Sequence, residues 1–408
     1  MTPETDRHPL VRFQIPALAV GAIALVAAIV FGMAHPSTFF RGYLVGFLFC
    51  VGLAVGSLAV LMIQYLTGGV WGIVIRRQLE AAVKTLPLVA LMVVPILVAL
   101  PVLYTWARPD VVSHDALLQH KAAYLNVPFT IVRTVIYFAV WIGAALLLTR
   151  TAREFERSGS PELSLRLRQV SGFGLLFLAL TITFSAVDWG MSLDPHWYST
   201  MYGMAFMVEH MLSAFAFSIV ILVMLSTSRP LSEILLPSHL RDLGNLLLAF
   251  VMLWAYLNFS QFLLIWYANL REEVTFYIPR MEGFWGGVSV ALIVFHFFLP
   301  FTMLLMRAIK DRPGTLRLVA FLILVMHLVS LLWLVIPSVQ WSEAHVSGHG
   351  GGHGEAHAAI SWLDIVTPLG LIAIWFAFFV NRLSTATIVP MNEPYVQEAL
   401  SGEVAHHG

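Results

Sequence analysis

The sequence predicts an all-α polytopic membrane protein of about ten transmembrane helices, on three observations. Only 11% of its 408 residues are charged and 59% are hydrophobic, whereas soluble chains carry about 25% charged residues. The charges lie between long apolar runs rather than within them. The basic residues are also divided unequally between alternate connections, as oriented membrane insertion requires.

A helix rises about 1.5 Å per residue, so a hydrocarbon core of about 30 Å needs about 20 apolar residues. Runs of that length fall at roughly 13–34, 42–66, 86–106, 128–149, 170–189, 201–225, 243–266, 284–306, 317–337 and 362–381. The first, Phe13 to Ala34, is too long for the apolar region of a signal peptide and is read as a first span. Pro87, Pro95 and Pro101 predict kinks in the third run, which neighbouring helices can tolerate. Trp106, Trp189, Trp266, Trp285 and Trp362 close or open runs and are expected in an interfacial belt.

The N-terminus (1–12), the even-numbered connections and the tail (382–408) hold 17 of the 23 Lys and Arg, five of them between Arg150 and Arg168. The opposite side holds Arg41, Arg108, Lys121, Arg271 and Arg280, with Arg133 just inside the fourth run. This asymmetry predicts that both ends are cytoplasmic, flanking a transmembrane domain over 13–381. A net charge of zero gives no reason to expect nucleic acid as a partner. The single cysteine, Cys50, excludes a disulfide framework, a Cys-ligated iron–sulfur cluster and c-type haem attachment.

The long outer connections are 107–127, 190–200, 267–283 and 338–361. In the last, His345, His349, His353 and His357 recur every four residues. The glycines between them disfavour the helix that would make this spacing a metal-binding face, so a solvated low-complexity loop is expected.

Ionisable side chains at membrane depth need a partner, a water-filled cavity or a function. Glu209 and His210 lie about 10 Å inside the sixth run, counted from its outer end. Asp188 closes the fifth run, Arg133 sits in the outer part of the fourth, and Asn258, Ser260 and Gln261 occupy the outer half of the seventh. His296 and His327 fall near the middle of the eighth and ninth, and Asp364 opens the tenth. Two readings of the outer cluster stand side by side. Arg133 pairs with one carboxylate and holds helices together, or a carboxylate such as Glu209 or Asp188, its pKa raised by burial, handles protons. The short connection 190–200 makes the fifth and sixth spans antiparallel neighbours, so both carboxylates are expected to share one polar cavity. His210 counts as nearer the outside than His296 and His327. At most one bis-His pair is therefore available, a two-haem cytochrome b is not predicted, and the chain is expected to hold no haem and no metal.

Two outer segments are distinctive. One runs from Ser185 to Gly203 and contains Asp188-Trp189, Asp194-Pro195-His196-Trp197-Tyr198 and Tyr202. The other runs from Trp254 to Glu273 and contains Tyr256, Asn258, Ser260-Gln261, Trp266, Asn269 and Arg271-Glu272-Glu273. With the ten runs, these segments resemble the F subunit of bacterial alternative complex III, within the wider group of NrfD and polysulfide-reductase membrane subunits. The resemblance covers residues from about 10 to 385; the His-rich loop and the tail after Pro390 fall outside it.

The resemblance implies two four-helix bundles, over 42–189 and 201–337, flanked by the first and last helices, in the bacterial inner membrane. It implies that this chain holds no cofactor. Quinol (menaquinol or ubiquinol) would pass electrons to iron–sulfur clusters and haem c on periplasmic partners: an iron–sulfur protein and multihaem and monohaem c-type cytochromes. A homologous membrane subunit would sit alongside. This chain would contribute quinol binding, a transmembrane proton pathway, or both. Trp189, Trp197, Tyr198 and Tyr202 would flank the quinone ring or serve as interfacial anchors. Asp194, His196, Arg271, Glu272, Glu273 and Arg280 would form the contact surface for the partners. Two other classes compete: an ion-coupled secondary transporter, against which no inverted repeat is evident, and a purely structural anchor for periplasmic redox subunits.

Overall fold

The computed structural model describes residues 9–346 and 360–390. Among them, ten helices are long and apolar enough to cross a membrane. They are α1 (Pro9–Gly32), α2 (Pro36–Thr67), α3 (Arg76–Val98), α4 (Val127–Ser158), α5 (Pro161–Leu193), α6 (Tyr202–Leu225), α7 (Pro237–Ala268), α8 (Gly283–Leu305), α9 (Pro313–Val346) and α10 (Leu363–Ser384). No strand occurs among the described residues. The protein is an all-α polytopic membrane protein, as composition predicts.

Lipid tails are as apolar as leucine, so helices in a bilayer associate through close packing rather than hydrophobic exclusion. The central helix α2 shows how. A Cβ built on Gly52 would stand 2.8 Å from Nδ1 of His210, and one on Gly56 would collide with the His210 carbonyl of α6. Ten and six residues before Gly52 on α2, Gly42 and Gly46 admit the backbone of α10 at Leu363 and Pro368 in the same way. Helix α2 thus touches α3, α5, α6, α9 and α10. Helices α2–α5 pack around one another, α6–α9 do likewise, and α1 lies against α10 at the edge. The two groups meet where α2 faces α6 and α9 and where α5 faces α6.

Proline interrupts three of these helices, each with a different outcome. Pro87, Pro95 and Pro101 divide the third span and its continuation into Arg76–Val83, Leu86–Met92, Val94–Val98 and Leu100–Leu103. That helix starts at Arg76 rather than at residue 86, because Arg77 bonds Glu80 and Glu156 at 2.9 Å each and makes a polar first segment tolerable. In α8, residues Leu292–Phe298 take π-helical form. Pro300 lacks the N–H that would close on the carbonyl of His296, and π-turns of this kind concentrate at functional sites. In α9, Pro337 leaves the Trp333 carbonyl without its helical donor. Arg280 supplies the replacement: its Nε donates to Trp333 O at 3.1 Å and a terminal nitrogen to Leu334 O at 2.8 Å.

The connections expected on the outer side are more ordered than the sequence reading anticipates. Segment 107–127 holds two short helices, Pro109–His114 and Ala116–Lys121. In 190–200, Leu193, Asp194 and Trp197 are buried. The first part of 338–361 is not loop but the end of α9, which runs to Val346 and includes His345; His349, His353 and His357 lie outside the described residues. Of the five tryptophans expected in an interfacial belt, Trp266 and Trp362 are exposed, whereas Trp106, Trp189 and Trp285 are buried. Their rings fill gaps between helices, and run ends alone cannot reveal this.

Candidate functional site

The predicted polar residues resolve into two buried centres with different partners. In the first, Asp188 on α5 is clamped by Arg133 on α4. Arg133 Nε donates to Oδ2 at 2.8 Å and its second guanidinium nitrogen to Oδ1 at 2.9 Å, while the Tyr137 hydroxyl donates to Oδ2 at 2.8 Å. The guanidinium also donates to the Tyr124 carbonyl and the Thr130 hydroxyl and lies over the rings of Tyr124 and Phe129. Trp189 is packed against Phe47, Tyr137, Phe138 and Trp141. A bidentate pair with its remaining donors and acceptors filled is a helix clamp.

The second centre lies on α6, α8 and α9. Glu209 Oε1 is 3.2 Å from Nδ1 of His327. His296 and Ser330 stand close enough to act on the same carboxylate. His296, which occupies the π-helical segment of α8, stacks on Trp254 of α7 with ring centroids 4.2 Å apart. His210 faces Phe206 and has its ring 6.3 Å from that of His327. All three imidazoles are buried. Nδ1 of His210, both ring nitrogens of His296 and Nε2 of His327 have no hydrogen-bond partner among the described residues, and neither has Trp254 Nε1. Buried polar atoms almost always find a partner, so their concentration around one carboxylate marks this centre. A neutral imidazole can accept a proton at one nitrogen and release one from the other, which suits the His327–Glu209 pair to relaying protons.

This arrangement corrects two expectations. Asp188 and Glu209 do not share partners, because Arg133 goes to Asp188 and His327 to Glu209. Nor are His210 and His327 separated in depth. Counting from run ends assumes that all helices begin in one plane. Yet α6 begins only after a buried connection, while α9 extends well past the apolar run to Val346. The two histidines therefore come level.

The remaining predicted residues separate. Tyr202 is buried, with its ring against Trp197 and Phe206 and its hydroxyl without a protein partner. Gln261 joins the outer wall of this bundle, accepting from Ser199 at 2.9 Å and reaching the Tyr277 hydroxyl at 3.3 Å. Asn258 and Ser260 instead donate to carbonyls of their own helix, those of Trp254 and Tyr256. Missed by sequence reading were Trp254, Ser330 and Tyr137 as partners of the polar residues, and the pairing of Arg41 with Asp364. The last is bidentate at 2.7 Å and ties α2 to α10. The proline four residues after His296 was the one local signal for the π-helical site.

Among the connections 107–127, 190–200 and 267–283 and the end of α9, a recess of about 740 Å³ is lined in part by Asp110, His114, Asp115, Asp194, His196, Arg271, Glu272 and His345. Four of the six residues expected to meet a partner thus gather in one place. Glu273 lies beside it, its carbonyl accepting from Trp197. Arg280 does not belong: it is 1% exposed and donates inward to α9. Burial pulls its guanidinium pKa down to about 10. Burial likewise raises the Asp194 carboxyl above the usual carboxylate range. Burial opposes charge on Asp115 too, but the Leu118 amide and His196, which is 2.7 Å away, outweigh it and hold that carboxyl low.

Among the described residues, no group of three or more His, Cys, Asp or Glu side chains is arranged to hold a metal ion. No protein-family model matches this chain, and no curated protein matches it.

Proposed function

We propose that this chain is an inner-membrane subunit of a quinol-oxidising respiratory complex of the NrfD-like group, and that the Glu209–His327 pair is its proton-handling centre. The observation that carries the reading is a buried carboxylate–imidazole pair surrounded by imidazole nitrogens that no group among the described residues satisfies. Quinol oxidation to quinone releases two electrons and two protons. The electrons would leave for iron–sulfur clusters and c-type haems on periplasmic partners. The protons need a base and an exit, and Glu209 and the two nitrogens of His327 supply both. His296 and Trp254 add a flat, stacked surface beside the carboxylate, suited to a planar ring or to an ordered water chain. The outer recess around Asp194, His196, Arg271 and Glu272 is the docking surface in this reading, and both chain ends are cytoplasmic.

Glu209→Gln in the assembled complex tests the proposal, because it keeps shape and hydrogen bonding while removing titration. The variant should retain subunits and cofactors but lose at least about tenfold in quinol turnover or proton release, the scale of a lost acid–base group. Normal turnover between about pH 6 and 9, across the range in which imidazole titrates, would make Glu209 structural. For the orientation, a reporter active only in the periplasm should be active when fused after Val346 and silent after Ser160 or Arg312.

A further inference from the structure

We propose that a cationic recess beside the segment that follows α10 binds the phosphate of an anionic phospholipid. The recess has a volume of about 600 Å³ and is walled by Arg77 and Lys84 of α3, Arg153 and Arg157 of α4, and Thr385 and Thr387 just beyond α10. Three distant parts of the chain thus bring four cations to one hollow.

Its charge is only partly neutralised. The two carboxylates in reach, Glu80 and Glu156, both bond to Arg77. The side chains of Lys84, Arg153 and Arg157 form no hydrogen bond or ion pair with any described residue. Basic residues that merely orient a membrane protein need only lie on the correct side; nothing in that role requires them to converge on a recess with threonine hydroxyls at its rim. Basic pockets between helix ends are the usual seats of anionic lipid headgroups.

Helix α4 gives the reason for choosing a lipid over a soluble anion. A helix turns about 100° per residue, so residues 132, 135, 139, 143, 146, 150, 153 and 157 lie along one stripe. Arg150, Arg153 and Arg157 form its polar end. Val132, Val135 and Leu146 form the rest and are exposed, and a Cβ on Gly143 would meet nothing within 4 Å. A phosphate held by the arginines therefore has its acyl chains delivered onto an open apolar track of the same helix. A free phosphate would use the cations alone.

The test is a titration of the detergent-purified full chain, followed by its melting temperature and by mass spectrometry of retained lipid. The probes are phosphatidylglycerol, phosphatidylcholine and inorganic phosphate. Phosphatidylglycerol should bind saturably and raise the melting temperature, whereas phosphatidylcholine and inorganic phosphate should not. Lys84→Gln, Arg153→Gln and Arg157→Gln should each weaken phosphatidylglycerol binding about fivefold, the usual worth of one cation near a charged lipid. Arg153 and Arg157 are exposed and unpaired, so the Arg153→Gln/Arg157→Gln double variant decides the matter if Lys84→Gln fails to fold. An equal response to both lipids, unchanged binding by the double variant, or a full response to inorganic phosphate alone would overturn the proposal.

Discussion

Asp188 and Glu209 are both buried carboxylates with a basic partner, one in each half of the molecule, yet their surroundings differ in kind. Asp188 faces an arginine, which stays charged at any working pH and offers a rigid fork of donors. That fork, with the Tyr137 hydroxyl, satisfies the carboxylate. Glu209 faces a histidine at 3.2 Å, and the imidazoles around it keep nitrogens with no partner among the described residues. A completed set of hydrogen bonds locks a charge in place; an incomplete set around a titratable partner leaves protons able to move. The same residue type thus serves as clamp in α4–α5 and as candidate relay in α6–α9.

The largest effect should come from breaking the clamp. Arg133→Leu or Asp188→Leu leaves a buried charge uncompensated, which costs about 3–5 kcal/mol. Yield and melting temperature in detergent should fall steeply, and a variant melting with the wild type would erase the distinction between the two centres. Next comes the contact between the halves. Gly56→Val drives a side chain against the His210 backbone, and overpacking of this kind costs about 1–3 kcal/mol. It should also disturb the relay centre, so that turnover falls with stability, whereas Gly143→Val, in open space, should change neither.

A smaller stability change, within about 1 kcal/mol, is expected for Glu209→Gln, since the amide can still bond His327. Melting curves close to wild type together with lost turnover would sharpen the contrast with Asp188. A destabilisation as large as that of Arg133→Leu would collapse it. The smallest effect concerns Asp194. Its carboxyl is held above the ordinary value of 3.8, so the folded state binds that proton more tightly than the unfolded state does. Its contribution is favourable below that value and lost as pH rises through the folded pKa. Asp194→Asn should therefore melt slightly above the wild type at neutral pH, and the advantage should vanish as pH falls toward 3.8. A constant difference at all pH values would show that the effect is not the charge.

Much of this architecture is legible in the chain itself. Ten spans, the prolines that break α3, and the presence of Arg133, Asp188, Glu209, His210, His296 and His327 within the spans follow from run length and composition. So does the side on which cations accumulate. These are local properties: a stretch of apolar residues must become helix in lipid because no water is present to satisfy its backbone. Only the tertiary structure decided which carboxylate receives the arginine, which tryptophans are buried, and that His327 meets Glu209 across 118 residues. The reason is geometric. Helices start in different planes and turn different faces inward, so depth and partner depend on glycine contacts such as Gly52 and Gly56 against His210. Those contacts exist only once α2 and α6 have packed.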